Sequence, residues 1–117
     1  MRTSQKNLNS VLRTRLETLF AQTVSDIKSP EEAREFINDF FFPSEKESFV
    51  KRLALVYWLK KGRGYSNIKE NLKVSSATIA GAQALLAKKG VQNALKKIEA
   101  EEWANQWSDK IKKFVGK

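Results

Sequence analysis

The sequence predicts an all-α chain of several helices, two of them forming a helix-turn-helix, followed by a C-terminal helical extension. Three observations carry this. Apolar residues recur at spacings of three and four along most of the chain, the period of one helix face. A serine followed three residues later by a glutamate, the order that opens a helix, stands twice. No stretch sustains the period-two alternation of a strand. At 117 residues the chain is long enough for one domain, spanning residues 1–117, with a modest core.

The elements follow in order. Met1–Asn9 are polar and basic and are expected to fray. Ser10 is expected to cap a first helix over residues 9–26, with Leu12, Leu16, Leu19, Phe20 and Val24 on one stripe. Ser29-Pro30-Glu31-Glu32 opens a second, carrying Ala33, Phe36, Ile37, Phe40 and Phe41, and Pro43 is expected to end it. Ser44 with Glu47 reads as another capping box, opening a central helix with Phe49, Val50, Leu53, Val56, Tyr57 and Leu59 that stops at Gly62. Leu55 and Trp58 widen its apolar arc, so it is expected to be buried on more than one side. Two shorter helices follow, Tyr65 to Lys73 and Ser75 or Ser76 to Lys89, with Gly90 as the break. The last helical stretch covers 91–115, with Val91, Leu95, Ile98, Trp103, Trp107, Ile111 and Phe114 and an irregular step that predicts a bend or a break near Ala100.

Composition narrows the function. Lysine and arginine number 22 against 13 acids, a net charge of +9, and a field of that sign selects polyanions as partners. Charge alone does not say where the cations sit, so an incidentally basic protein remains compatible with it. Cysteine and histidine are both absent, which excludes zinc sites of the finger type and disulfides, and removes the commonest nucleophile and general base. There is no glycine-rich phosphate loop. The expectation is no enzyme, no cofactor and no metal. The longest apolar run, Leu53 to Leu59, is seven residues, against the roughly 20 that span a bilayer, and the N-terminus lacks the apolar segment of a signal peptide. A cytoplasmic protein without a membrane partner is expected.

Residues 65–89 hold the informative pattern. Ile68 and Leu72 lie four apart, Val74 sits in the turn, Ser75 or Ser76 can cap the next helix, and Ile79 and Leu86 return to the core. Ser76, Ala77, Thr78, Ala80, Gly81 and Gln83 are left facing out. Small side chains let a helix sit deep in the major groove, where Ser, Thr and Gln reach base edges and methyl groups meet thymine. Ser76, Ala77, Thr78, Ala80 and Gln83 are therefore the expected base contacts. Arg63, Lys69, Lys73, Ser75, Lys88 and Lys89 are the expected phosphate contacts, with Lys60 and Lys61 nearby. A plain helical hairpin would carry the same short pattern.

Arg52-Leu-Ala-Leu-Val, Leu59, Gly62, Tyr65, Ile68, Leu72 and above all Val74-Ser-Ser-Ala-Thr-Ile79 resemble the Trp repressor-like family of bacterial helix-turn-helix proteins, and Glu31-Glu32-Ala33 with Phe36 resembles the segment upstream in its uncharacterised branch. The resemblance covers residues 29–89. It implies an intertwined, nucleoid-associated homodimer that binds operator DNA. In the tryptophan-responsive members one arginine of the central helix, matched by Arg52, and another two residues after Ala-Thr-Ile hold the amino acid. The second position is Gly81 here, so a regulator that does not respond to tryptophan is expected.

Two other readings stand beside it. The lack of Arg or Asn on the outward face fits an adaptor on a degenerate helix-turn-helix scaffold, docking a partner through the Trp103/Trp107 helix. Binding to single strands would draw on the Phe40–Phe42 cluster as a stacking platform.

Overall fold

The structure, a computed structural model, describes residues 7–115; for residue 104 and residues 106–115 it describes the backbone alone. Those residues form six α-helices and one short 3₁₀ turn, with no strand among them. They divide within the third helix into two compact units, Met1–Phe49 and Val50–Lys117.

The first unit begins with α1 (Ser10–Ser25). Its cap is Asn9 rather than Ser10: the Asn9 Oδ1 accepts the Val11 and Leu12 N–H groups at 2.9 and 3.2 Å. The longer amide spans two orphan donors, and Ser10 becomes the first helical residue. None of the α1 stripe is buried; Leu19 is 63% exposed and Val11 61%. In α2 (Pro30–Phe40) Ser29 caps as expected, accepting the Glu32 N–H at 3.1 Å, with Pro30 first and Glu31 and Glu32 against the positive end of the helix.

Pro43 opens α3 (Pro43–Lys60) rather than only closing α2. The expected Ser44–Glu47 box is displaced by two residues. The Glu45 carboxylate reaches back to accept the Phe42 N–H at 2.9 Å, and the Phe42 carbonyl accepts from Lys46. Proline has no N–H to leave unsatisfied, so it fits the first helical position better than the gap between helices. Phenylalanine rings bind the unit together: Phe20 of α1 on Phe40 at 6.1 Å, Phe40 on Phe36 at 4.9 Å, and Phe41 against Phe49 at 5.3 Å. Each such pair adds about 1 kcal/mol beyond the area it buries.

The second unit holds the core. Leu55 and Val56 of α3, Ile68 of α4 (Tyr65–Leu72), Ile79 and Ala82 of α5 (Ser76–Gln83) and Leu95 of α6 (Lys89–Val115) are buried together. Trp58, Leu72, Val74, Leu86, Val91 and Ile98 pack around them, half-buried. The end of α3 closes as a Schellman motif: Arg63 N–H donates to the Trp58 carbonyl and Gly62 N–H to Leu59, with Gly62 at φ 85°. That conformation is the reason glycine stands there.

Two boundaries differ from the sequence expectation. α5 ends at Gln83, and a 3₁₀ turn over Ala84–Ala87 and an extended Lys88 precede α6, so the break falls at Lys88 and Gly90 lies inside the first turn of α6. Leu85, Leu86 and Val91 all pack on one core, which the chain reaches from both sides only by turning between them. A helix tolerates one glycine at a cost of about 1 kcal/mol when such packing offsets it. The Gln92 amide holds the corner, donating to the Leu86 carbonyl at 3.1 Å. α6 also runs through Ala100 without a break. There Glu99 and Glu102 face Lys60 and Lys61 of α3 at 3.9 and 3.6 Å, and Glu102 accepts the Tyr57 hydroxyl. Of the C-terminal stripe, Trp103 is 62% exposed; Trp107, Ile111 and Phe114 fall outside the described side chains, and Met1–Lys6 outside the described residues.

Candidate nucleic-acid interface

α4 and α5 form the helix-turn-helix, and the turn is unusually well defined. Lys73 ends α4 in the left-handed region, φ 57° and ψ 49°, the one non-glycine residue with positive φ among those described. Its N–H donates to the Lys69 carbonyl at 3.0 Å. Val74 then turns inward, and Ser75 takes the extended backbone of an N-cap. The Ser75 Oγ accepts the Thr78 N–H at 3.1 Å and lies 2.9 Å from the Thr78 hydroxyl. Two residues expected to serve DNA separately are thus one hydrogen-bonded pair at the start of α5.

Ile79 and Ala82 anchor α5 to the core, which turns Ser76, Ala77, Thr78, Ala80, Gly81 and Gln83 outward, all exposed. At 100° per residue Ala77, Ala80 and Gly81 form the outermost ridge, with polar groups on its flanks. A Cβ added at Gly81 meets nothing within 4 Å, so the surface there is open. On one flank the Tyr65 hydroxyl donates to the Gln83 Oε1 at 3.3 Å, joining the first residue of α4 to the last of α5.

The cations sort into two groups. Lys60 and Lys61 are turned to α6 by their ion pairs, and Lys61 also lies over the Tyr57 ring at 5.5 Å. Such half-exposed pairs are worth under about 1 kcal/mol each. Arg63, Lys69, Lys73, Lys88 and Lys89 are exposed, with no ion pair among the described residues. Arg63 is held in place: its guanidinium lies 4.1 Å from the centre of the Trp58 ring and donates to the Asn67 Oδ1 at 3.4 Å. Lys89 is the first residue of α6, whose first turn holds no acid, so a positive charge sits at the positive end of a helix. The Trp58 stack, the Tyr65–Gln83 link and the strained Lys73 escaped the sequence reading. Only the first has a sequence signal, an aromatic and an arginine on either side of a helix-ending glycine.

A groove of about 610 Å³ in the first unit is lined by Asp26, Glu32, Glu35 and Asp39 with Phe36 and Phe40, which repels phosphate. No group of three or more acidic side chains among the described residues is placed to hold a metal ion, and no helix there is long and apolar enough to cross a membrane.

The profile of the Trp repressor protein family matches residues 15–102, about three-quarters of the chain. The chain belongs to the Trp repressor family. The match takes in the helix-turn-helix and most of α1 and ends within α6, so residues 103–117, with Trp103 and Trp107, lie beyond it. No curated protein and no solved structure matches the chain.

Proposed function

We propose that this member of the Trp repressor family is a sequence-specific, duplex-DNA-binding transcriptional regulator that acts as a homodimer without responding to tryptophan. One observation carries the reading: α5 presents a capped N-terminus and an exposed, uncharged outer face, and the segments before and after it carry the exposed cations Arg63, Lys69, Lys73, Lys88 and Lys89. Cations outside any ion pair supply affinity for phosphates, and small and amide side chains supply contact with base edges.

The dimer is supported by what α1 leaves open. Leu12, Leu16, Leu19, Phe20 and Val24 are 44–63% exposed, and Phe40, Phe42, Phe49, Val50 and Leu53 likewise exceed 40%. Exposed apolar side chains in that number call for a cover, and a second copy provides one. The lack of response to tryptophan rests on Gly81, which stands where the responsive members carry an arginine. A nucleoid-associated place in the cytoplasm of a bacterium follows from the same reading.

The test is a variant carrying Thr78→Arg, Lys88→Glu and Lys89→Glu, assayed against the parent on a pool of genomic duplexes, with circular dichroism to verify the fold. Loss of binding in a folded variant is the expected result. Unchanged duplex binding would show that the surface is wrongly assigned. The adaptor reading draws on one feature, the lack of any polar atom on the Ala77–Ala80–Gly81 ridge. A protein partner lost on deleting residues 100–117, with DNA binding untouched, would favour it.

A further inference from the structure

Two exposed polar side chains on neighbouring helices of the helix-turn-helix are joined: the Tyr65 hydroxyl donates to the Gln83 Oε1 at 3.3 Å. An exposed glutamine has two nearly equivalent amide orientations, and nothing in its own chemistry selects one. Here the phenol donates to the oxygen, so the oxygen end of the amide faces the tyrosine. The NH₂ end is then turned away from Tyr65 with two hydrogens to give. Gln83 lies on the flank of α5 shared with Ser76 and Ala80, at seven and three residues' separation, so the amide projects beside the ridge that meets the groove.

We propose that Tyr65 and Gln83 form one base-reading unit in which Tyr65 positions the amide and Gln83 donates from Nε2 to a purine N7 on the major-groove edge. The inference rests on the DNA-binding reading above and sharpens it. A free glutamine reads adenine with both ends of its amide, accepting from N6 and donating to N7. With the oxygen drawn to Tyr65, the donor end carries the contact, and adenine and guanine both present N7 there. The unit distinguishes purine from pyrimidine at one position and tolerates either purine. Tyr65 itself is a positioning residue, acting on DNA through Gln83.

The experiment is selection of bound duplexes from a pool with a randomised core, using the full chain, followed by anisotropy titration of the best duplex for wild type, Tyr65→Phe, Gln83→Ala and the double variant. Phenylalanine keeps the ring and removes only the hydroxyl. The expected result is relaxation of the purine preference at the same position in both single variants, with affinity lower by about 3- to 10-fold in each, the worth of one hydrogen bond. The double variant should fall no further than Gln83→Ala, because the two groups act as a unit. Replacing the purine at that position by its 7-deaza analogue should cost wild type the same factor and the variants nothing. If wild type selects a sequence and Tyr65→Phe selects the same one with unchanged affinity, the positioning role fails while the DNA-binding reading stands. If wild type selects no sequence, both fall.

Discussion

Lys73 offers a test in which stability and binding move in opposite directions. Its backbone is left-handed, φ 57° and ψ 49°, at the C-cap of α4. An L-residue with a Cβ pays about 1–2 kcal/mol for that conformation, and glycine pays none of it. Replacing Lys73 by glycine recovers that strain but loosens the unfolded chain, at a cost of about 0.5–1 kcal/mol. The net expectation is stabilisation by about 0.5–1 kcal/mol, a rise in melting temperature of about 2–6 °C for a domain of this size. Lys73→Ala removes the same charge but keeps the Cβ, so it should not gain that stability. Both variants lose one phosphate contact, so the slope of log affinity against log salt should flatten by about 0.9 per bound copy. Thermal melts by circular dichroism and anisotropy titrations at several salt concentrations read the two effects separately. The reasoning is refuted if Lys73→Gly melts no higher than Lys73→Ala, or if neither changes the salt slope.

Three further outcomes follow from the same structure. Lys89→Glu places an acid at the start of α6 where a cation now opposes the helix dipole, so chemical denaturation should show a gain of about 0.3–1 kcal/mol alongside weaker duplex binding. Ile79→Ala removes a fully buried side chain that anchors α5, and urea unfolding should register a loss of about 2–5 kcal/mol. The Tyr57 hydroxyl is pushed up to about 12, first by donating to the Glu102 carboxylate, then by desolvation and by the charges of Glu102 and Glu99. Because the folded value lies above the ordinary value of 10.0, this contact contributes fully below about pH 10 and is lost as pH rises through about 12. Tyrosinate absorbance should show one late-titrating tyrosine that moves earlier in Glu102→Gln; a titration unchanged by that substitution would remove Glu102 as the cause.

Much of the fold was legible because local rules and packing agree at the same residues. Ser29-Pro30-Glu31-Glu32 satisfies its own orphan donors, and Ile68, Val74 and Ile79 carry both the period of their helices and the core of the second unit. Boundaries went wrong where a local signal had two uses. Pro43 both stops one helix and starts the next, and Gly90 weakens a helix that Val91 and Leu95 hold by packing. The cations around the turn were legible as a group but not individually. Lys60 and Lys61 look like Lys69 and Lys73 in sequence, and only the approach of Glu99 and Glu102 on α6 separates them. The Tyr65–Gln83 link joins residues 18 apart through a geometry that the turn creates, which no local pattern records.

DNA recognition by α5 is tested most directly by duplex binding measured by fluorescence anisotropy on genomic fragments against random competitor, over a range of salt. Five exposed cations per copy that make no ion pair among the described residues predict a steep slope, about 0.9 for each phosphate neutralised, together with a preference for particular fragments that survives at physiological salt. Binding that disappears near physiological salt with no preference among fragments would contradict it, leaving a basic helical protein whose partner is not DNA.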